Sequence, residues 1–108
     1  MERYEDTIHS LTVKQLESSR SMVQKIFNAL EDGKMDKDFA SELLVQIREQ
    51  INNTYIQRIE LAIHMNQPYE NIDDNRLNEL KSFDAAVNMH LGTKVEVDFN
   101  DTNVAKLL

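Results

Sequence analysis

From Lys37 to Asn66 the chain runs 30 residues without a glycine or proline, and this stretch constrains the fold more than any other. As a helix it would be roughly 45 Å long at about 1.5 Å per residue. Ala40, Leu44, Ile47, Ile51, Tyr55, Ile59 and Ala62 recur at steps of 4, 3, 4, 4, 4 and 3, which lays them along a single stripe. That spacing, about 3.67 residues per turn, suits a nearly straight packing seam better than a left-handed heptad supercoil. Asp36 stands where an N-cap belongs, and Pro68 stops the helix just past Asn66.

The rest of the chain is consistent with helices around this one. Two glycines and one proline in 108 residues leave few places for the tight turns that connect strands. The length suits one domain with a modest core. Upstream, Thr12-Val13-Lys14-Gln15 has the spacing of a capping box, so a first helix starts either at Val13 or already near Glu2, and it ends at Asp32-Gly33-Lys34. Leu16, Val23, Ile26 and Leu30 give it a matching stripe, with Ser19 at the missing position. The link to the long helix is about four residues, which forces the two to lie antiparallel. Residues 1–66 are therefore expected to form a helical hairpin, residues 67–74 a linker with Pro68 and the paired Asp73 and Asp74, and residues 75–92 a third helix. Leu77, Leu80, Phe83, Val87 and Leu91 make the stripe of that helix, and Gly92 closes it.

Beyond Gly92 the period changes. Val95, Val97 and Phe99 alternate with Lys94, Glu96 and Asp98, which predicts a short strand; Val104, Leu107 and Leu108 follow on an apolar face. An isolated strand needs a partner edge. The hairpin alone would also leave Phe39, Leu43, Ile56, Leu61, Ile63 and Met65 wet. Both observations predict assembly. The expected architecture is mainly α and oligomeric: a long antiparallel hairpin, a third helix and a short C-terminal strand. Leu44, Ile47, Ile51, Tyr55 and Ile59 are the candidate oligomer interface, and Val95, Val97, Phe99, Val104, Leu107 and Leu108 the candidate docking segment.

Chemistry is sparse. There is no cysteine, hence no disulfide frame and no thiol nucleophile. Glu60 and His64 share a helical face, but nothing is arranged to complete a zinc site around them. Asp32, Asp36, Asp38 and Glu42 cluster at the interhelical turn with Gly33 in the wrong place for a calcium loop. His90, beside the end of the third helix, suits the negative end of the helix dipole. No phosphate-cradling loop or nucleophile elbow is present. The expectation is a protein without catalytic residues, metal or cofactor. No apolar run long enough to span a membrane exists, and the N-terminus lacks a basic region followed by an apolar one, so the expected location is the cytoplasm of a cell or of an infected cell.

Nineteen acidic against twelve basic residues give a net charge of -7, which opposes nucleic-acid binding unless cations gather on one surface. Arg3, Lys14, Arg20 and Lys25 are the candidates, Lys14 and Lys25 lying three turns apart on one face. In a ring of copies such residues would form a positive band; as single helices they read as ordinary solvated faces.

Together, the helix ending in Lys25-Ile26-Phe27, the turn Asp32 to Asp38, the long helix to Met65 and the run Val95 to Leu108 resemble the small terminase subunit of tailed bacteriophages, in its form without a helix-turn-helix. The chain departs from that pattern in the helix Asn75 to Leu91, inserted before the tail. The resemblance implies a homo-oligomeric ring that binds double-stranded viral DNA and regulates a large motor and nuclease subunit, with Val95 to Leu108 as the docking segment. Two other classes fit the residues. One is a small acidic inhibitor or adaptor that blocks a host protein, using Asp73, Asp74, Glu79 and Asp84 in place of nucleic acid. The other is an assembly chaperone or scaffold.

Overall fold

The computed structural model describes residues 4–92, with side chains from His9 onward. Three helices follow one another: α1 over Tyr4–Glu31, α2 over Lys37–His64 and α3 over Glu70–Leu91. Among the described residues there is no strand; the alternating segment 93–99 and the rest of the expected tail lie outside them.

The long stretch forms the central helix. Asp36 caps it, its carboxylate accepting from the Phe39 N–H at 3.4 Å. All seven residues of the α2 stripe are buried. The helix ends at His64, two residues earlier than the absence of Gly and Pro implied, because Asn66 takes a positive φ of 55° and turns the chain before Pro68. From Tyr4 onward the N-terminal arm belongs to α1, in keeping with the earlier of its two possible starts, and Gly33 at φ 68° ends the turn that follows it.

α3 begins five residues before the expected Asn75. The segment expected as a linker contains its first turn, with Glu70 and Asp73 placed where acidic side chains favour a helix start. No side-chain cap precedes it at Tyr69; instead the Glu70 carboxylate accepts from the Tyr69 N–H at 3.1 Å. Gly92, at φ 67°, closes the helix in the left-handed conformation.

α1 and α3 flank α2 and run parallel to each other, since Arg20 meets Glu79 and Phe27 meets His90. The core joins Leu16, Ile26 and Phe27 of α1, Ala40 to Tyr55 of the α2 stripe, and Leu80, Phe83, Val87 and Leu91 of α3. Ser19 occupies a core position of α1 and is buried, a small side chain that lets α1 and α2 approach. No described helix is long and apolar enough to cross a membrane.

Candidate functional site

Two sets of polar residues stand out, one internal and one on the surface. The internal set fixes α3. Arg48 on α2 grips Asp84 with Nε at 2.9 Å and Nη2 at 3.2 Å, and Asp84 is buried. Arg76, only 2% exposed, donates from Nε to Asp73 at 2.8 Å and from Nη1 to Asn52 at 2.9 Å. Arg20 on α1 forks onto Glu79, with Nε 3.0 Å from Oε2 and Nη2 on Oε1, where the Tyr55 hydroxyl also donates at 2.6 Å.

These contacts set the charge state of the trio. The bond to Glu79 keeps Arg20 more basic than usual. Burial works to raise Glu79, but the donors on Arg20 and Tyr55 prevail and hold it below the ordinary carboxylate range. Burial first, and then the bond to Glu79, push Tyr55 up to about 12.

At the upper end of α1 and α3, His90 stacks on Phe27 with centroids 3.9 Å apart. Its Nδ1 lies 2.9 Å from the Ala86 carbonyl, and its Nε2 lies 3.6 Å from Glu31. The imidazole is thus tied into the helix end. No group of three or more potential metal ligands occurs among the described residues.

The surface set is a furrow between α1 and α2. Its lower hollow is lined by Leu11, Thr12, Gln15, Thr54, Gln57, Arg58 and Leu61. The middle one shares Gln15, Thr54 and Gln57 and adds Ser18, Ser19, Gln50 and Asn53. The upper one shares Gln50 and adds Met22, Lys25, Ile26, Leu43, Gln46 and Ile47. The three are therefore continuous. Gln46, Gln50, Asn53 and Gln57 recur at steps of 4, 3 and 4, an amide ladder beside the apolar stripe of α2. None of the lining residues is acidic, and Lys25 and Arg58 supply the charge. Leu11 and Met22 keep 50% and 44% of their surface exposed along it. Arg58 Nη1 is shielded from solvent and has no hydrogen-bond partner among the described residues.

The sequence-derived candidates are distributed differently from this furrow. Leu44, Ile47, Ile51, Tyr55 and Ile59 are all buried within the single chain, so their burial needs no second copy. Of the cations proposed for DNA, Lys14 and Lys25 are exposed, Lys25 lines the furrow, Arg20 is engaged by Glu79, and Arg3 lies outside the described residues. Three of the four carboxylates proposed as a nucleic-acid mimic, Asp73, Glu79 and Asp84, are bound to arginines inside the molecule. Val95, Val97, Phe99, Val104, Leu107 and Leu108 lie outside the described residues. The furrow itself was missed. Its signal was present as the amide spacing on α2, which a search for apolar periodicity passes over.

Comparison of the chain with protein-family profiles, with curated protein sequences and with solved structures gives no match.

Proposed function

We propose that this protein is a non-enzymatic adaptor whose α1/α2 furrow receives an acidic, amphipathic helix of another protein. The absence of any carboxylate from the furrow carries this reading, in a chain with nineteen acidic residues. Glu42, Glu49 and Glu60 are exposed on α2 yet line none of its hollows. Interface centres are depleted of charge and combine apolar anchors with neutral hydrogen-bonding groups, which is the composition found here. Leu11 and Met22 supply the anchors. Lys25 and the unpartnered Nη1 of Arg58 favour carboxylates on the incoming chain, since a shielded guanidinium donor without an acceptor is costly. A helix laid between two others makes a fourth member of the bundle, recognised by anchors at helical spacing.

A second reading keeps the DNA-packaging role of a small terminase-like adaptor. It draws on the same furrow, where Lys25 and Arg58 would face phosphates and the amides could donate to them. A titration followed by NMR separates the two. The probes are an amphipathic helical peptide with glutamates flanking its apolar stripe, the same peptide with lysines in their place, and a short DNA duplex. The glutamate peptide is expected to shift the side-chain amides of Gln50 and Gln57, and Gln50→Glu with Gln57→Glu to weaken it by about tenfold or more through like-charge repulsion. Equal binding of the lysine peptide, or no shift in the furrow with either peptide, overturns the adaptor reading. Salt-sensitive shifts at Lys14 and Lys25 with duplex alone replace it by the DNA reading.

A further inference from the structure

α1 and α3 run parallel, so their C-terminal ends lie side by side where Phe27 meets His90. Each such end carries a partial negative charge from its last carbonyls, about half an elementary charge. α1 adds a carboxylate in its final residue, Glu31, and has no basic residue in its last turn; the last turn of α3 has only His90. We propose that His90 is a proton-operated clasp between the two helices: a proton taken up at Nε2 closes the ring onto Glu31 and ties the end of α3 to the end of α1.

Three observations carry the proposal. The first is the tautomer of the ring. A carbonyl oxygen only accepts, so the 2.9 Å contact with the Ala86 carbonyl requires a proton on Nδ1. In the neutral ring Nε2 is then an acceptor, and it faces Glu31 Oε1 at 3.6 Å. Two sets of lone pairs meet there, at more than hydrogen-bond distance. A second proton turns Nε2 into a donor. A charge-assisted bond of about 2.8 Å then becomes available. The Glu31 side chain is 67% exposed and free to turn toward it, and the ring is open enough to exchange protons with solvent.

The second is the face of the ring. The imidazole lies parallel to Phe27, with planes 4° and centroids 3.9 Å apart. Two neutral rings prefer an offset or edge-on arrangement with more widely spaced centroids, whereas a cation is drawn to the face of an aromatic ring. Phe27 is buried, so water screens this contact little.

The third is the charge around the ring. On α3 no charged side chain other than His90 occurs between Asp84, which Arg48 holds, and Gly92. α1 presents Glu31, followed by Asp32, and Glu31 is the ring's ion-pair partner among the described residues. α2 begins at the same end, where its positive dipole is met by the cap Asp36 and by Asp38. Lys34 and Lys37, the cations of this end, are exposed and have those two carboxylates beside them. The ring therefore faces negative charge, and each of these contacts favours its charged form. A native state that holds the charged ring more tightly than the unfolded chain does gains stability as pH falls through the range in which histidine takes up a proton, about pH 8 to 5.

The test is urea unfolding of the full chain at about pH 8 and about pH 5.5, for the parent, His90→Gln, Glu31→Gln and the double variant. His9 and His64 are exposed and present in all four, and the titrations of Glu79 and Tyr55 fall outside this range. On acidification the folded-to-unfolded ratio of the parent is expected to rise about threefold or more relative to that of His90→Gln. Glu31→Gln is expected to lose most of this rise, and the double variant to behave as His90→Gln does. A rise retained in His90→Gln overturns the proposal. A rise lost in His90→Gln but kept in Glu31→Gln overturns it too, because the proton would then act on α3 alone. Nitrogen NMR of the ring in the unsubstituted chain gives an independent reading. At about pH 8 the proton is expected on Nδ1, and a proton found on Nε2 instead refutes the clasp.

Discussion

Glu79 receives donors from two other helices, Arg20 of α1 and Tyr55 of α2, and so couples all three at one carboxylate. Glu79→Gln keeps the shape but removes the charge that both donors use, and is expected to cost about 1–2 kcal/mol at neutral pH, measured by urea unfolding. The pH dependence follows from the lowered value of Glu79. Stability from its ionised form is complete above the ordinary carboxylate value of 4.5 and is lost as pH falls through the lower native value. The variant should therefore show a flatter acid limb than the parent. Tyr55 behaves in the opposite sense. Its pKa is raised from 10.0 to about 12, so stability tied to the neutral phenol is complete below pH 10 and lost as pH climbs toward 12. Tyr55→Phe should remove that alkaline loss, and with Glu79→Gln should be clearly non-additive, since the two share one bond. An additive pair would show that the hydroxyl and carboxylate act independently.

At the level of elements, α3 is held by specific polar contacts as much as by its apolar stripe. Asp84 is buried beneath the fork of Arg48. Asp84→Ala leaves that guanidinium without its partner and is expected to destabilise by about 3 kcal/mol. Replacing both, as Arg48→Met with Asp84→Leu, should recover most of the loss, because an apolar pair needs no compensation for lost hydration. If the double variant is as unstable as the single one, the pair also sets the register of α3 against α2. The same contacts explain what the amino-acid pattern could and could not disclose. The α2 stripe was legible residue by residue, because burial repeats at helical spacing along one element, and Asp36 and Gly92 were legible as end signals. The start of α3 was not. The charges of Asp73 and Asp74 suit a helix start, but Pro68 and the polar residues after it have the composition of a linker, so nothing in the pattern placed the first turn as early as Glu70. The clamps were invisible for a different reason. Arg48 and Asp84 are 36 residues apart and Arg20 and Glu79 are 59 apart, and periodicity within a helix says nothing about which residues of separate helices meet. The amide ladder of the furrow was readable in principle, but polar spacing points to a surface only after the helices are placed.

Across the whole molecule, third-helix packing changes what the apolar excess means. A hairpin alone would leave the α2 stripe half covered, whereas α3 completes a core within one chain. The net charge of -7 works against that compact state. Raising ionic strength to about 0.15 M shortens the reach of this repulsion to about 8 Å and is expected to raise the melting temperature above its low-salt value. A fall would mean that the attractive pairs, Arg20 with Glu79 among them, outweigh the excess acidity.

The core position of the stripe also separates folding from assembly. Ile51 is 1% exposed inside the single chain, whereas Phe39 stands 53% exposed on the same helix. A carboxylate at position 51 would be taken out of water, and its burial costs several kcal/mol, a large share of what a small domain has. Ile51→Asp is therefore expected to abolish cooperative unfolding and most helical circular dichroism at every protein concentration. Phe39→Asp places its charge in water, in the first turn of α2 where the dipole favours it, and should leave the melting temperature within a few degrees of the parent. Light scattering alongside dichroism distinguishes the cases. If Ile51→Asp instead yields a folded helical monomer from a larger parent species, the stripe is a surface between copies, and the single-chain core described here cannot be the arrangement in solution.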